Sequence, residues 1–585
     1  MDGSSSLSQY NYDDVTTGYN FVKQVISNLR RHYVANAAKT SPIQKLLSSE
    51  GYSYDHMGRR RSNSSQLQDS TNTIQGAVRV SLASYNEIGQ LTKKGLHSIN
   101  GTSNFLQNVD YRYNPRGWLT NINNPTLSVD GGITNTDTND QFGMELKYDN
   151  AATPQYNGNI GSTTVKTTAL SGTSYPALTY NYAYDKLNRL TNAVSTTTTP
   201  NDNFYNENVT YDVMGNITKL NRYDKPASSR IAIDSLTYTY VSGNKIDRID
   251  ELGTAAGFIN GANQAAEYTY DGNGNQLMDL NKGLTQTYNM LNLPQTAVRA
   301  GISVAYIYDA AGRKLRKLST SGSTTTVTEY VNGIQYEYTG TYPVISFIQT
   351  EEGRARKNGT VYKYEYDLKD HLGNTRLTTT WDPSDAANQL TPLNSQRNDY
   401  YAFGYTIQSL IGTLPSSPNH YLYNHKELQD ETRLYDYGAR FYDPVIGRWG
   451  AVDPLAEKGR RWSPYVYGFD DPIRFEDPDG MWPDWQAWGH EIKQSFVGHY
   501  QAIKQVLTTN PLTTAKKALV GMAINAQKHP VETILNAATG GNYDRAKESF
   551  TLIKSVVTDN AKTGGPIIGN STANVVDVAG RSCRK

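Results

Sequence analysis

Cysteine is almost absent from this chain of 585 residues, and the single one, Cys583, lies at the extreme C-terminus. The chain therefore has no internal disulfide. A lack of disulfides is usual inside cells, but surface proteins built from repeats lack them as well. Cysteine content does not decide the compartment.

Long apolar runs and an excess of one charge are also missing. No stretch of about 18 apolar residues occurs, so no membrane span is predicted. The start, MDGSSSLSQYNYDD, has neither a basic nor an apolar segment, and no signal peptide is predicted. A truncated or split reading frame explains this start as well as a leaderless protein does. Lys and Arg number 56 against 55 Asp and Glu, so the net charge indicates neither a nucleic-acid nor an anionic-membrane partner.

Phenylalanine is scarce, with 12 residues against 44 tyrosines, and apolar stripes at helical spacing are rare before residue 480. Tyrosine builds apolar layers in which each hydroxyl needs a partner. This composition is typical of a mainly β protein. The exception is residues 15–50, within an N-terminal segment of residues 1–50. Helical spacing there predicts a spacer helix, carried by Phe21, Val22, Val25, Ile26 and Leu29.

A short repeat fills residues 51–360. Its form is Tyr-Asp or Tyr-Asn, two variable residues, and then Gly or Asn before an apolar or basic residue. Copies recur at roughly twenty to thirty residues, which indicates a repeat architecture. They begin at Tyr54, Tyr85, Tyr113, Tyr184, Tyr211, Tyr270 and Tyr308, with weaker copies at Tyr288 and Tyr366.

Each copy predicts an antiparallel β-hairpin. Tyrosines alternate before the turn, as at Tyr180, Tyr182 and Tyr184, which places their rings on one face of a strand. The Asp or Asn caps the turn, and the later Gly or Asn takes the left-handed conformation of a bulged hairpin. The turn carboxylates are thus interpreted as structural: Asp55, Asp185, Asp212, Asp271 and Asp309. The alternative is that exposed tyrosine rows bind carbohydrate.

This pattern resembles the YD (RHS) repeat. The resemblance implies a strip of hairpins that spirals into a hollow shell, an array of antiparallel hairpins with a mainly β fold. Thr-rich connectors such as Ser195–Pro200 and Thr324–Thr328 predict exposed loops.

Residues 361–420 form a bridge to a different stretch. The bridge contains Asp370-His371, which precedes Leu372-Gly373-Asn374 and is interpreted as a structural turn. His420 and His425 have no cysteine partners at metal spacing. No metal and no cofactor are predicted.

Residues 421–481 are rich in aromatic residues and contain four Asp-Pro steps, at Asp443, Asp453, Asp471 and Asp477. Proline lacks a donor and disfavours helix in the residue before it, so each step predicts a strand end or a turn. The segments ELQDETRLYDYGARFYDPVIGRWGAVDPLAEK and SPYVYGFDDPIRFEDPDGM resemble the RHS repeat-associated core domain, in the form found in Bacteroidetes. That resemblance implies a YD-repeat protein ahead of the core and a variable tip behind it.

The same resemblance implies self-cleavage at the end of the core by a pair of aspartates. The matching positions are Asp453 with Asp477 or Asp479, and the scissile bond follows Met481. Arg448 matches the basic residue that would hold one carboxylate ionised. Two carboxylates that share a proton can activate water and protonate a leaving amine. The alternative is that these aspartates only shape turns.

Residues 482–585 change in composition, with apolar residues at helical spacing and a Gly-rich tail from Thr563 that predicts disorder. We expect an α-helical module. Neither zinc-deaminase, metalloprotease nor phosphate-loop motifs occur in it. It is interpreted as a linker to a missing toxin or as an effector without a recognisable motif.

The family resemblance therefore predicts a secreted or cell-surface RHS-repeat protein. It would enclose its own C-terminal module and deliver an effector against neighbouring cells or hosts, with an immunity protein as a partner. The alternative is a surface adhesion protein that binds glycans without cleavage. A third interpretation is a degenerate remnant without function.

Overall fold

The computed structural model describes residues 11–483 except 37–39, 72–75, 100, 133, 169, 171–174, 198–201, 242, 255, 341 and 360. The chain divides into two compact units, residues 1–488 and 489–585, and all described residues belong to the first. Apart from Trp482 and Pro483, the predicted helical module and its tail lie outside the described residues. No helix among the described residues is long and apolar enough to cross a membrane.

The first sheet is built from consecutive strands, each antiparallel to the next. Among the described residues it has 16 strands in sequence order. They are β1 Tyr12–Tyr19, β2 Val25–Ala35, β3 Pro42–Tyr54, β4 Arg60–Asp69, β5 Val78–Tyr85, β6 Leu91–Ile99, β7 Gln107–Tyr113, β8 Leu119–Ile122, β9 Phe142–Lys147, β10 Ser162–Thr167, β11 Leu178–Tyr184, β12 Leu190–Thr196, β13 Glu207–Tyr211, β14 Ile217–Asp224, β15 Ile231–Val241 and β16 Lys245–Glu251.

A second sheet of 13 described strands repeats this order. Its strands are β17 Tyr268–Tyr270, β18 Gln276–Asp279, β19 Leu284–Tyr288, β20 Pro294–Arg299, β21 Ile302–Tyr308, β22 Lys314–Ser321, β23 Thr324–Val331, β24 Ile334–Tyr338, β25 Ile345–Thr350, β26 Gly353–Asn358, β27 Val361–Lys369, β28 Thr375–Trp381 and β29 Pro392–Arg397. The bridge thus continues the second sheet rather than leaving it.

The core stretch contains a small third sheet and short turns. Its strands are β30 Glu427–Gln429, β31 Leu434–Asp436, β32 Phe441–Asp443 and β33 Arg448–Trp449. Single turns of 3₁₀ helix occur at Pro383–Asp385, Gln408–Leu410, Tyr423–His425, Ala456–Gly459 and Gly468–Asp470. The fold of the described residues is therefore almost entirely antiparallel β, as the sequence predicts.

The repeated turn has the predicted hydrogen bonds. In the copy at Tyr54, Asp55 Oδ1 accepts from the backbone N–H groups of Met57 and Arg59, both at 2.9 Å. Gly58 has φ +80°, and the strand register shifts by one residue at Tyr54. The Arg59 guanidinium bonds Asp55 Oδ2 and lies over the ring of Tyr85 in the next hairpin. This turn is therefore capped internally and tied to its neighbour.

The tyrosine before the turn has a specific role in this array. In five hairpins its hydroxyl donates to the carbonyl of the first residue of the preceding return strand. The pairs are Tyr54 with Val25, Tyr85 with Arg60, Tyr211 with Leu190, Tyr240 with Ile217, and Tyr288 with Gln276. Phenylalanine cannot make this bond, which gives a physical reason for the excess of tyrosine.

Replacing Tyr211 by Phe tests this role. The 2.6 Å bond to the Leu190 carbonyl is lost, while the ring and its contact with Arg189 remain. We expect Tyr211→Phe to lower the free energy of unfolding by about 1 kcal/mol, measured by denaturant titration. The control is Tyr156→Phe, because Tyr156 is 69% exposed. Equal stability of the two variants would contradict the role.

Three expectations from the sequence are wrong. The residues expected to form the spacer helix lie instead in strands β1, β2 and β3 and in the turn at Asn20–Gln24. Thr324–Thr328 lies within strand β23 rather than in a loop. The tyrosine rows are not exposed, because Tyr180, Tyr182, Tyr268 and Tyr306 are each at most 7% exposed. These rings are not available to a carbohydrate.

The two large sheets contact each other through strands far apart in sequence. His32 Nε2 lies 2.6 Å from the Tyr336 hydroxyl, and His97 Nδ1 lies 3.0 Å from the Tyr366 hydroxyl. Tyr364 donates to Ser65 Oγ at 3.0 Å. Strands β2, β4 and β6 therefore meet β24 and β27, so early strands of the first sheet pack against later strands of the second.

Candidate functional site

The core stretch is filled by aromatic side chains that are almost completely buried. Trp449, Tyr437, Tyr442 and Tyr467 are each at most 3% exposed. The Tyr442 and Tyr467 rings stack at 4.1 Å between centroids, and Trp449 meets Tyr437 edge-on at 5.0 Å. Such a cluster holds the neighbouring turns rigidly, because each ring has little free volume around it.

Charged groups attach this stretch to both large sheets. Arg222 of β14 donates to the carbonyls of Pro444 and Val445, at 3.0 and 2.7 Å. Lys314 of β22 bridges the carboxylates of Glu427 and Asp436, each at 2.6 Å. The core stretch is therefore fixed to the first and second sheets at separate points.

The predicted carboxylate pair is brought together by Arg440. Nη2 of Arg440 contacts Asp453 Oδ2 at 2.8 Å and Asp477 Oδ2 at 2.9 Å. The three residues are 1%, 9% and 0% exposed in the order Arg440, Asp453, Asp477. Two carboxylates that share one guanidinium nitrogen lie close enough for the charge of each to affect the other.

The backbone just before the predicted scissile bond is held against this group. Arg440 Nε donates to the Gly480 carbonyl at 2.6 Å. The N–H groups of Gly480 and Met481 donate to Asp477 Oδ1 at 2.8 and 3.0 Å. Asp479 Oδ1 also accepts from the Met481 N–H, at 3.1 Å. Residues 480 and 481 are thus anchored by the same side chains that form the carboxylate pair.

Gly480 is required by this close approach. Its φ is +77°, and a Cβ atom there would lie 3.0 Å from the Arg440 backbone nitrogen and 3.2 Å from Tyr437 Cβ. Any larger residue would be strained in conformation and crowded at the same time. Met481, by contrast, is 37% exposed.

Burial governs the protonation of the pair. Burial raises the pKa of both Asp453 and Asp477, although the Arg440 guanidinium opposes the rise. The negative charge of each neighbouring carboxylate adds to it, from Asp477 on Asp453 and from Asp479 on Asp477. The site therefore favours a state in which a proton is retained at higher pH than on an exposed aspartate, as acid–base chemistry by carboxylates requires.

Arg448, the predicted partner of the carboxylates, lies elsewhere. Its Nη1 donates to Asn216 Oδ1 at 3.0 Å, Nη2 bonds the Asn244 carbonyl, and the guanidinium stacks on Tyr240 and Tyr465. Arg448 therefore ties the core to the first sheet. The arginine beside both carboxylates is instead Arg440, which ends Tyr-Gly-Ala-Arg in the same matched segment as Arg448.

The other Asp-Pro steps are turns, as predicted. Asp443 ends β32, accepts from the Val445 N–H and pairs with Lys282 at 2.5 Å. Asp471 follows the 3₁₀ turn Gly468–Asp470, and burial raises its pKa to about 8.

Asp370, in the bridge, also caps a turn. Its Oδ1 accepts from the backbone N–H groups of Leu372 and Asn374.

Across the part of the chain that the structure describes, no group of three or more His, Cys, Asp or Glu side chains is placed to hold a metal ion. The groups that meet at residues 440–481 are the carboxylates of Asp453 and Asp477 and the guanidinium of Arg440.

Sequence comparison finds relatives that are much longer than the matched regions. Salivary gland surface protein 1 of Aedes aegypti is 36% identical over 119 residues, 20% of this chain and 3% of that protein. Toxin subunit YenC2 of Yersinia entomophaga is 26% identical over 305 residues, 48% of this chain and 30% of that protein. The tRNA3(Ser)-specific nuclease WapA of Bacillus spizizenii is 24% identical over 316 residues, 52% and 11% of the two chains. The chain thus spans less than a third of each relative, and no family model matches it.

Comparison with solved structures finds the same architecture. The crystal structure of TcdB2-TccC3 without its hypervariable C-terminal region superposes with a TM-score of 0.53 over 80% of this chain and 24% of that chain, at 19% identity. The matched part of this chain has the fold of about a quarter of TcdB2-TccC3. The Photorhabdus luminescens Tc holotoxin pore gives a TM-score of 0.53 over 81% of this chain and 23% of that chain, at 17% identity. Together with YenC2 and WapA, this likeness to TcdB2-TccC3 supports the RHS-type resemblance, while the Bacteroidetes form stays a prediction.

Proposed function

We propose that this chain is an RHS-type carrier that encloses the segment after Met481 and separates from it by cutting its own backbone there. Two features support enclosure: the serial hairpin sheets, and the contacts of β2, β4 and β6 with β24 and β27. The likeness to TcdB2-TccC3, whose C-terminal region is described as hypervariable, supports a variable cargo behind the core. The toxin and nuclease relatives support delivery of an effector to neighbouring or host cells.

The observation that carries the proposal is that Arg440, Asp453 and Asp477 lie together, and that Arg440 and Asp477 hydrogen-bond the backbone of Gly480 and Met481. In the proposed step a water molecule adds to the Met481 carbonyl while the ionised carboxylate takes its proton. The neutral carboxylate then protonates the Trp482 nitrogen as the C–N bond breaks. Arg440 holds the ionised partner and, through the Gly480 carbonyl, the adjoining backbone. The products are a carboxylate at Met481 and a free amine at Trp482.

Expression of the full chain tests the proposal directly. We expect a denaturing gel to show a large fragment ending at Met481 and a small fragment whose N-terminal residue is Trp482. Mass spectrometry of the small fragment identifies that residue. Inhibitors of host proteases in the expression strain distinguish self-cleavage from degradation. A chain that stays intact after folding, at every pH between 4 and 9, would overturn the proposal.

A further inference from the structure

A second cation besides Arg440, the ammonium of Lys426, reaches the segment Asp477–Met481. Lys426 follows the 3₁₀ turn Tyr423–His425 and directly precedes β30. Its Nζ donates to the carbonyl of Pro478 at 2.6 Å. Its backbone is fixed as well, because the Lys426 N–H donates to Tyr423 O and its carbonyl accepts from Leu422 N. The ammonium is therefore placed by a rigid turn.

The surroundings of Lys426 combine a ring, burial and negative charge. The half-buried ammonium lies 5.3 Å from the centroid of Tyr437. Burial lowers the pKa of Lys426. Carboxylates on two elements oppose this shift: Glu476, Asp477 and Asp479 on the C-terminal segment, and Asp436 at the end of β31. Burial lowers the pKa of His425, the residue before Lys426, and the positive charge of Lys426 lowers it further.

The two cations hold carbonyl groups two residues apart. Lys426 binds Pro478 O and Arg440 binds Gly480 O, both at 2.6 Å. Between them Asp477 Oδ1 accepts from the N–H groups of Gly480 and Met481. The segment is thus held at both of these carbonyls and at both amides before the proposed cut. If the segment were flexible, it would have to give up conformational entropy to reach this alignment each time the bond is cut.

We infer that Lys426 is a positioning residue for self-cleavage, which holds the Pro478 carbonyl so that the Met481–Trp482 bond stays aligned with the Arg440 carboxylate pair. The inference rests on the proposed function and adds to it a residue that touches neither the reacting bond nor the pair. A purely structural lysine would affect only folding. A positioning lysine affects the cleavage rate of the folded chain and the pH at which the rate changes.

The pH effect has a definite sign. The positive charge of Lys426 favours the ionised form of nearby Asp477, whose other charged neighbours are Arg440, Asp453 and Asp479. Removing that charge raises the pKa of Asp477. If Asp477 acts ionised, the acidic limb of the rate profile moves to higher pH. If it acts protonated, the alkaline limb moves to higher pH. In both cases the profile shifts to higher pH.

The test uses the full chain made by pulse-labelled cell-free synthesis and diluted into buffers from pH 4 to 9. The fraction cut is followed by gel. We expect Lys426→Met to cut about tenfold more slowly at neutral pH, with the profile shifted upward. Lys426→Arg keeps the charge and a donor, so it should restore most of the rate and the original profile. The matched control is Lys186→Met. Lys186 is exposed in the turn between β11 and β12, and its loss should change neither quantity.

The outcomes separate the two proposals. An uncut wild-type chain would overturn the proposed function. A cut wild-type chain with Lys426→Met unchanged in rate and profile would overturn only the role of Lys426. Resistance to added protease reports folding in each sample. If Lys426→Met folds less completely, Lys426→Gln takes its place, and a slow rate without a shifted profile in the folded fraction would also reject the inference.

Discussion

Asp477→Asn is expected to reduce self-cleavage by at least about 100-fold, the range that a general acid or base contributes. Asparagine keeps an oxygen where Gly480 and Met481 donate, so the backbone turn can persist. It cannot give or take the proton that the proposed step moves. Its amide would also face the Arg440 guanidinium, donor against donor, where Asp477 now accepts at 2.9 Å. The full-length chain should therefore accumulate on a denaturing gel, and Asp453→Asn should give the same result.

Asp443→Asn is the matched control for these variants. Asp443 is also a buried aspartate before proline with a cationic partner, but that partner is Lys282 rather than Arg440. Its replacement should leave the fragment pattern unchanged. If Asp477→Asn cuts as fast as the wild-type chain while Asp443→Asn does too, the aspartates only shape turns, which is the alternative drawn from the sequence.

Arg222→Met is expected to destabilise the residue 1–488 unit by about 3–5 kcal/mol, the cost of leaving a buried ion pair without one partner. Arg222 is fully buried and contacts Glu207 at 2.7 Å and Asp234 at 3.0 Å. It also donates to the carbonyls of Pro444 and Val445. Methionine fills a similar volume but leaves two buried carboxylates and two carbonyls without this donor. Denaturant titration of the purified chain measures the loss.

Two further variants identify the cause of that loss. Arg230→Met removes an exposed arginine that lies over Tyr223, and we expect a change of at most about 0.5 kcal/mol, as for surface sites in general. The combined variant Arg222→Met, Glu207→Gln, Asp234→Asn has no buried charge left unpaired and should recover part of the stability. If the triple variant were no more stable than Arg222→Met, lost packing rather than unpaired charge would explain the effect.

The hairpin repeat could be predicted because each copy is a local structure. Asp55 caps Met57 and Arg59 within five residues, and Gly58 supplies the positive φ that the turn requires. No distant residue is needed for either feature. The first two residues of the pattern also occur at Tyr19-Asn20, where Asn20 Oδ1 accepts from Val22 and Gln24, although Lys23 takes the positive φ in place of Gly or Asn. Attention to that pair, rather than to apolar spacing, would have predicted strands in place of the spacer helix.

The spacer helix failed because pairing between strands overrides spacing along one strand. Val25 and Leu29 have helical spacing, yet both lie in β2, which is hydrogen-bonded to β1 and β3. Phe21 and Val22, counted as part of an apolar stripe, lie in the turn and are 102% and 64% exposed. Apolar residues at helical spacing form a helix only where another part of the protein packs against that face.

The sequence by itself determined the β-hairpin units and the turn carboxylates, because short spacings encode local conformation, while the two aspartates of the candidate site were indicated by the resemblance to the RHS core domain. Only the tertiary structure decided which arginine joins those aspartates. Arg440 and Arg448 lie in the same motif, but the strand β32 and the turn after it carry Arg448 to Asn216 and leave Arg440 beside Asp453 and Asp477, 13 and 37 residues further on. A contact across such separations follows from how the core packs between the sheets, and no pattern within the motif records it.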